Sequence, residues 1–150
     1  MQSIGAKLFI GVAITAVGLF GADNSLGTWK RKPSGTSNDP IKNLTTVRTP
    51  SDGGVKVTIT GERTDGTAMN SSYNAKFDGK EYPVTGANWD TISMKQIDAN
   101  TFSFETKAGG KSYNSGRIVI SKDGKTRTRY WKGKDEKGEP ITWTAVFDRQ

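Results

Sequence analysis

The stretch "SDGGVKVTITGERTDGT", residues 51–67, decides the fold. Two Asp-Gly pairs bracket an alternation in which Val55, Val57 and Ile59 share one face while Lys56, Thr58 and Thr60 share the other. A period of two is that of a half-buried strand. Asp-Gly supplies the positive φ angles of tight hairpin turns. The stretch reads as one strand of an antiparallel sheet, reversed at both ends.

The same punctuation recurs downstream at "DGK" (78–80), "TGAN" (85–88), "DAN" (98–100), "AGGK" (108–111), "KDGK" (122–125) and "GKDEKGEP" (133–140). Between these turns, "MNSSYNAKF" places Met69, Tyr73, Ala75 and Phe77 on one face. "TISMKQI", "TFSFET", "SYNSGRIVIS", "TRTRYWK" and "ITWTAVFD" are rich in the Thr, Ile, Val and aromatic residues that suit a pleated surface. Strands at "LGTWKR" and "IKNLTTVR" bring the number to about ten. No window after Asp23 has the period of an amphipathic helix. The predicted fold is all-β, an antiparallel up-and-down β-barrel of eight to ten strands, because closure removes the edges an open sheet would expose. An open two-layer sandwich or a twisted half-barrel is the alternative. The weakest strand is "EYPV": Pro83 cannot donate to a ladder, so that strand must be short, at an edge or bulged.

Residues 1–22 stand apart. Lys7 precedes an uncharged apolar run from Leu8 to Ala22, and polar "DNS" follows, the pattern of a secretory signal. The run is short for a membrane span, with an uncleaved N-terminal anchor as the alternative. The expected organisation is therefore a signal peptide at 1–22 and a barrel domain at 23–150, secreted or periplasmic, touching a membrane only through the signal. The net charge is +7, and removal of Lys7 with the signal leaves +6. The chain has no Cys, which excludes disulfides and thiolate metal sites, and no His, which removes the commonest general base and metal ligand. Asp90, Asp98 and Glu105 have no Ser-His or Cys-His arrangement to work with, so no enzyme, cofactor or metal site is expected. The basic residues are spread over nearly every strand and loop, which argues against nucleic acid as a partner.

"LGTWK", Leu26–Lys30, gives the meander a more specific aspect. A Gly-x-Trp on the first strand of such a chain resembles the lipocalin and fatty-acid-binding protein (calycin) superfamily, and the ending "TAVFDRQ" is similar to that family's last strand. The resemblance implies that Arg149 stacks on Trp29 and closes one end of the barrel. The departures matter too. The family's helical lid would fall at "KPSGTSNDPI", Lys32–Ile41, whose two prolines make it a loop. The carboxylate-binding Arg-x-Tyr of fatty-acid-binding proteins corresponds to Ala145 and Phe147, so fatty-acid specificity does not carry over. The chain looks most like a small exported bacterial lipocalin-like protein of undefined ligand.

Alternate residues line the inside of a small barrel. The candidate ligand-binding residues are Tyr73, Phe77, Met94, Phe104, Tyr113, Arg117, Arg129, Trp143 and Phe147. Plain core packing is the alternative for the apolar ones. "NSSYN", "SYNSGR" and "TRTRYW" are polar on both faces, where a filled core would ask for Leu, Ile and Val, so a semi-polar cavity is expected. By parity Arg117 goes with Tyr113 and Val119, and Arg127 and Arg129 go with Trp131. One of these faces is expected to point inward, where a guanidinium suits a carboxylate or phosphate. Solvated outer-face charges are the alternative, and one sequence leaves the register open. The expected function is an exported protein that holds a small hydrophobic or amphipathic molecule inside its barrel. The alternative is a filled barrel acting on another protein through its surface and end loops, as an interaction or inhibitor module.

Overall fold

Aspartate does most of the chain reversal. At Asp65, Asp98, Asp123 and Asp135 the carboxylate accepts the backbone N–H two residues on, from Thr67, Asn100, Lys125 and Lys137, at 2.8 to 3.0 Å. This is a turn that the side chain itself templates. At the first hairpin Asp52 and Gly53 both have positive φ, 42° and 77°. That pair of angles makes a two-residue turn whose twist matches its strands.

The computed structural model describes residues 22–135 and 137–150. A 3₁₀ turn, Ala22–Ser25, leads into ten strands. These are β1 (Gly27–Arg31), β2 (Ile41–Ser51), β3 (Gly54–Arg63), β4 (Ala68–Ala75), β5 (Asp78–Thr85), β6 (Thr91–Asp98), β7 (Thr101–Ala108), β8 (Lys111–Ile120), β9 (Thr126–Lys134) and β10 (Pro140–Arg149). Each pairs antiparallel with the next, and β1 pairs with both β2 and β10, so the sheet closes into an up-and-down barrel. The signal segment expected at 1–22 lies, but for Ala22, outside the described residues.

"DGK" (78–80), which also opens β5, turns the chain between β4 and β5 as expected: the pairs Ser72↔Thr85 and Tyr73↔Val84 centre the reversal on Asp78 and Gly79, Gly79 has a φ of 77°, and Asp78 accepts the Lys80 N–H at 3.0 Å and the Tyr82 hydroxyl at 2.6 Å. The register of β5 against β6 shifts between Asp78 and Glu81. One local expectation changes in detail. The strand expected to run to Phe77 ends at Ala75. The "EYPV" strand is the loose one, as Pro83 requires: β5 meets β4 only at Ser72↔Thr85 and Tyr73↔Val84.

The two ends of the barrel differ. At one end β10 finishes beside the start of β1, with Trp29 paired to Arg149. The Trp29 indole is wholly buried and its Nε1 donates to the Ser25 carbonyl at 3.0 Å. The Arg149 guanidinium lies over the indole, 4.3 Å from the ring centroid, and donates to the carbonyls of Gly124, Leu26 and Asn24. Val55, Met94, Phe102, Ile120 and Phe147 belong to the buried core. Full burial of such side chains is worth about 1.5 to 3 kcal/mol each. The opposite end carries the loops 32–40, 64–67, 86–90, 109–110 and 135–139. There the Arg31–Asp39 ion pair, at 2.8 Å, ties the loop after β1 to the barrel. Burial alone would raise the Asp39 pKa, but hydrogen bonds from Arg31, Ser34 and the Ile41 N–H outweigh it and hold it at about 2.

Candidate ligand-binding site

Turn geometry determines which side chains enter the barrel. The Asp52-Gly53 turn sets Ser51 opposite Gly54, and counting back along the ladder sets Arg48 opposite Val57. Cross-strand partners share a face, so Arg48 goes inside with Val57 while its neighbour Val47 is left 38% exposed. On the other side of the barrel Ile120 pairs with Arg127, Ile118 with Arg129 and Gly116 with Trp131. The β9 face bearing Arg127, Arg129 and Trp131 therefore points inward. Arg117, which sequence parity left open, points outward and is exposed. It is not part of the interior.

Two cavities that share lining residues result. The inner one, about 30 Å³, is lined by Thr46, Arg48, Tyr73, Arg127 and Arg129 together with apolar side chains including Phe104, Ile118 and Phe147. Leu44, Ile59, Trp89 and Arg129 border both this space and a wider one of about 360 Å³ at the loop-bearing end. Arg63 of β3, Met69, Asn70 and Ser71 of β4, Asn88 of the loop 86–90, Asn114 and Trp131 are among the other residues of this mouth. Trp89, which borders both cavities, stands edge-on to Tyr73, ring centroids 6.2 Å apart.

The charge inside the inner cavity is all of one sign. Arg48 and Arg127 are only 2% and 3% exposed. Nε and Nη2 of Arg48, Nε of Arg127 and Nε of Arg129 are buried without a hydrogen-bond partner. Arg127 reaches Thr46 Oγ1 only at 3.5 Å. Among the described residues, neither cavity is lined by Asp or Glu. The ion pairs, Arg31–Asp39, Lys32–Asp148, Lys42–Glu62 and Lys107–Glu81, involve other residues. Burial pushes all three guanidiniums below their ordinary pKa, and the charges of Arg48 and Arg129 push Arg127 furthest. The Tyr73 hydroxyl beside them partly offsets this. A guanidinium does not give up its proton in a protein, so the strain persists as an unmet demand for negative charge.

Aromatic faces meet part of that demand. The Arg127 guanidinium lies 4.2 Å from the Phe147 ring centroid, and that of Arg129 lies 4.5 Å from Phe104 and 5.0 Å from Trp131. Such contacts give about 0.5 to 2 kcal/mol each. Burying an unpaired ion costs several kcal/mol, and each unsatisfied buried donor about 1 to 3. Stacking therefore falls short, and it leaves Nε and Nη2 of Arg48 and Nε of Arg127 and Arg129 without an acceptor.

The sequence-predicted residues divide accordingly. Tyr73, Phe104, Arg129 and Phe147 line the inner cavity. Phe77 packs on Phe102, centroids 5.0 Å apart, and Met94 is buried in the core; neither borders the inner cavity or the mouth. Tyr113 sits by the β7–β8 bulge at the mouth rim, 42% exposed. Trp143 shares the inward parity of Phe147 but lies where β10 leaves the barrel, 38% exposed and stacked on Trp131 at 5.5 Å. The expected site lacked Arg48, Arg127, Trp89 and Trp131. The β2 alternation "TTVRT" hides Arg48 because a Val takes the outer face and an Arg the inner one.

No protein-family model matches the chain, and no curated protein matches it in sequence.

Proposed function

We propose that this protein is an exported, calycin-like binding protein that holds a small, partly apolar molecule in the mouth of its barrel. The observation that carries this reading is the mouth cavity of about 360 Å³, which adjoins a smaller space lined by Arg48, Arg127 and Arg129. Its volume falls within the range of small-molecule sites, about 300 to 1,000 Å³. Its lining mixes Leu44, Ile59, Trp89 and Trp131 with Asn70, Ser71 and Asn114, as expected for a ligand with an apolar body and polar substituents. The closed ten-strand meander with a Gly-x-Trp on β1 supports a lipocalin-like carrier, and the apolar run of Leu8–Ala22 supports export. Catalysis plays no part in this reading.

The test is fluorescence titration with the neutral probe N-phenyl-1-naphthylamine, joined to native mass spectrometry of protein purified from an exporting host. A saturable one-to-one complex is expected in the parent, and it should be lost in Ser71→Trp, which fills the mouth. Absence of saturable binding, together with a ligand-free mass, would overturn the reading. It would leave a barrel that acts on another protein through its end loops.

A further inference from the structure

The reading above leaves the chemistry of the ligand open, and the inner cavity narrows it. Arg48 on β2 and Arg127 and Arg129 on β9 line one space inside the barrel, with N–H groups that no protein acceptor meets. Tyr73 adds a hydroxyl to the same wall. We propose that this space is a carboxylate site: the ligand is a compact amphiphile whose single carboxylate sits among Arg48, Arg127 and Arg129 while its apolar body fills the mouth. The inference rests on the reading of the barrel as a binding protein and specifies what is bound.

Size selects the anion. A water-sized sphere needs about 10 to 15 Å³ of such space, so the inner cavity, at about 30 Å³, has room for two or three atoms of that size. A carboxylate presents two oxygens in a plane. A phosphate or sulfate presents a tetrahedron and overfills the space. Geometry agrees, because Nε and Nη2 of Arg48 and Nε of Arg127 and Arg129 are buried without a partner and remain for an acceptor. In-plane donors match a carboxylate two at a time. The exposed lysines Lys111, Lys132 and Lys134 stand on the mouth-side halves of β8 and β9. They favour the approach of an anion from that side.

Two measurements on the full barrel test this. In the first, thermal unfolding is followed in sodium acetate, phosphate, sulfate and chloride at constant ionic strength, for the parent and for Arg48→Met. General salt effects act on both proteins alike, so the readout is the difference between them. Acetate is expected to stabilise the parent saturably, as a ligand does, and to have no such effect on Arg48→Met. In the second, calorimetry compares 4-phenylbutyrate with 4-phenylbutanol, which share a body and differ in the head group. The carboxylate is expected to bind at least ten-fold more tightly, and Arg129→Gln should remove most of that preference; Arg129→Gln also replaces Arg48→Met in the first measurement if the latter does not fold.

Failure takes distinct forms. Equal affinity for the acid and the alcohol, with acetate acting no differently from chloride, overturns the carboxylate site and leaves the barrel a binding protein. A larger parent-specific effect of phosphate or sulfate overturns the choice of anion. Acetate stabilisation without binding of either phenyl compound upholds the carboxylate site and overturns the assignment of the ligand's body to the mouth.

Discussion

Replacing Arg48 with methionine should stabilise the ligand-free protein by about 1 to 2.5 kcal/mol, the balance of three terms. Removing an unpaired buried ion recovers several kcal/mol, taken here as about 5. The loss of the interaction with the Tyr73 hydroxyl, a hydrogen bond to a charged group, costs about 1.5 to 3 kcal/mol. The shorter side chain leaves a void of about 30 to 40 Å³, costing about 1 kcal/mol at roughly 24 cal/mol per Å³. Methionine keeps the apolar stem that packs beside Val57 and relieves the charge pressing on Arg127. Urea unfolding in chloride buffer, free of organic anions and followed by tryptophan fluorescence, measures the change. With a slope of about 2 kcal/mol per molar urea, the midpoint should rise by about 0.5 to 1.3 M at unchanged slope. Arg117→Met, on the outer face, is the control and should stay within about 0.5 kcal/mol of the parent. If Arg48→Met is instead less stable than the parent by more than about 1 kcal/mol, Arg48 is a satisfied structural strut. The case for an unmet charge in the inner cavity then fails.

Three further outcomes follow from the same structure. Trp29→Ala should cost about 3 to 5 kcal/mol, because a wholly buried indole is lost; equal unfolding midpoints for variant and parent would show that the residue does not hold the closed end. Gly27→Ala should cost about 1 to 3 kcal/mol, since φ of 114° strains any L side chain and the new Cβ would displace the Arg149 guanidinium; calorimetry checks this, and a change below about 0.5 kcal/mol refutes it. The Asp39 carboxyl, held at about 2 against an ordinary 3.8, contributes stability that is present above the ordinary value and lost as pH falls through the folded one. Relative to the intrinsic rate at each pH, hydrogen exchange in the loop 32–40 should therefore quicken between about pH 4 and pH 2 in the parent. Asp39→Asn should show that faster exchange already at pH 6, and a flat profile in both would rule out the Arg31 tie.

The strands and turns were legible because their causes are local. An Asp that accepts the N–H two residues on makes its turn wherever it stands, and Val55, Val57 and Ile59 alternate without reference to the rest of the chain. The interior of β9 was not legible from β9 itself, since Arg127, Arg129 and Trp131 on one side and Thr128 and Tyr130 on the other are both polar enough for water. Its orientation comes from Ile118 and Ile120 across the ladder. Arg48 carries a signal that lies in the pairing of two strands rather than in either strand alone. A two-residue turn at Asp52-Gly53 fixes the register, and four steps along the ladder bring Arg48 level with Val57. Trp89 had no such signal. Its position depends on the path of the loop 86–90 over the barrel mouth, which neighbouring strands determine.

The Arg149 clasp also bears on the order in which the chain folds. Its Nη2 donates to the Asn24 carbonyl across a separation of 125 positions, and β1 finds its second partner only in β10. Contacts of such long range are expensive to nucleate and slow to form. A chain delivered amino end first displays Trp29 long before the guanidinium that will cover it exists. Until β10 arrives, β1 and β9 are open edges able to pair with other chains. Completion is therefore all-or-none with respect to the final strand, and a chaperone that shields these edges would act in the interval before β10 docks.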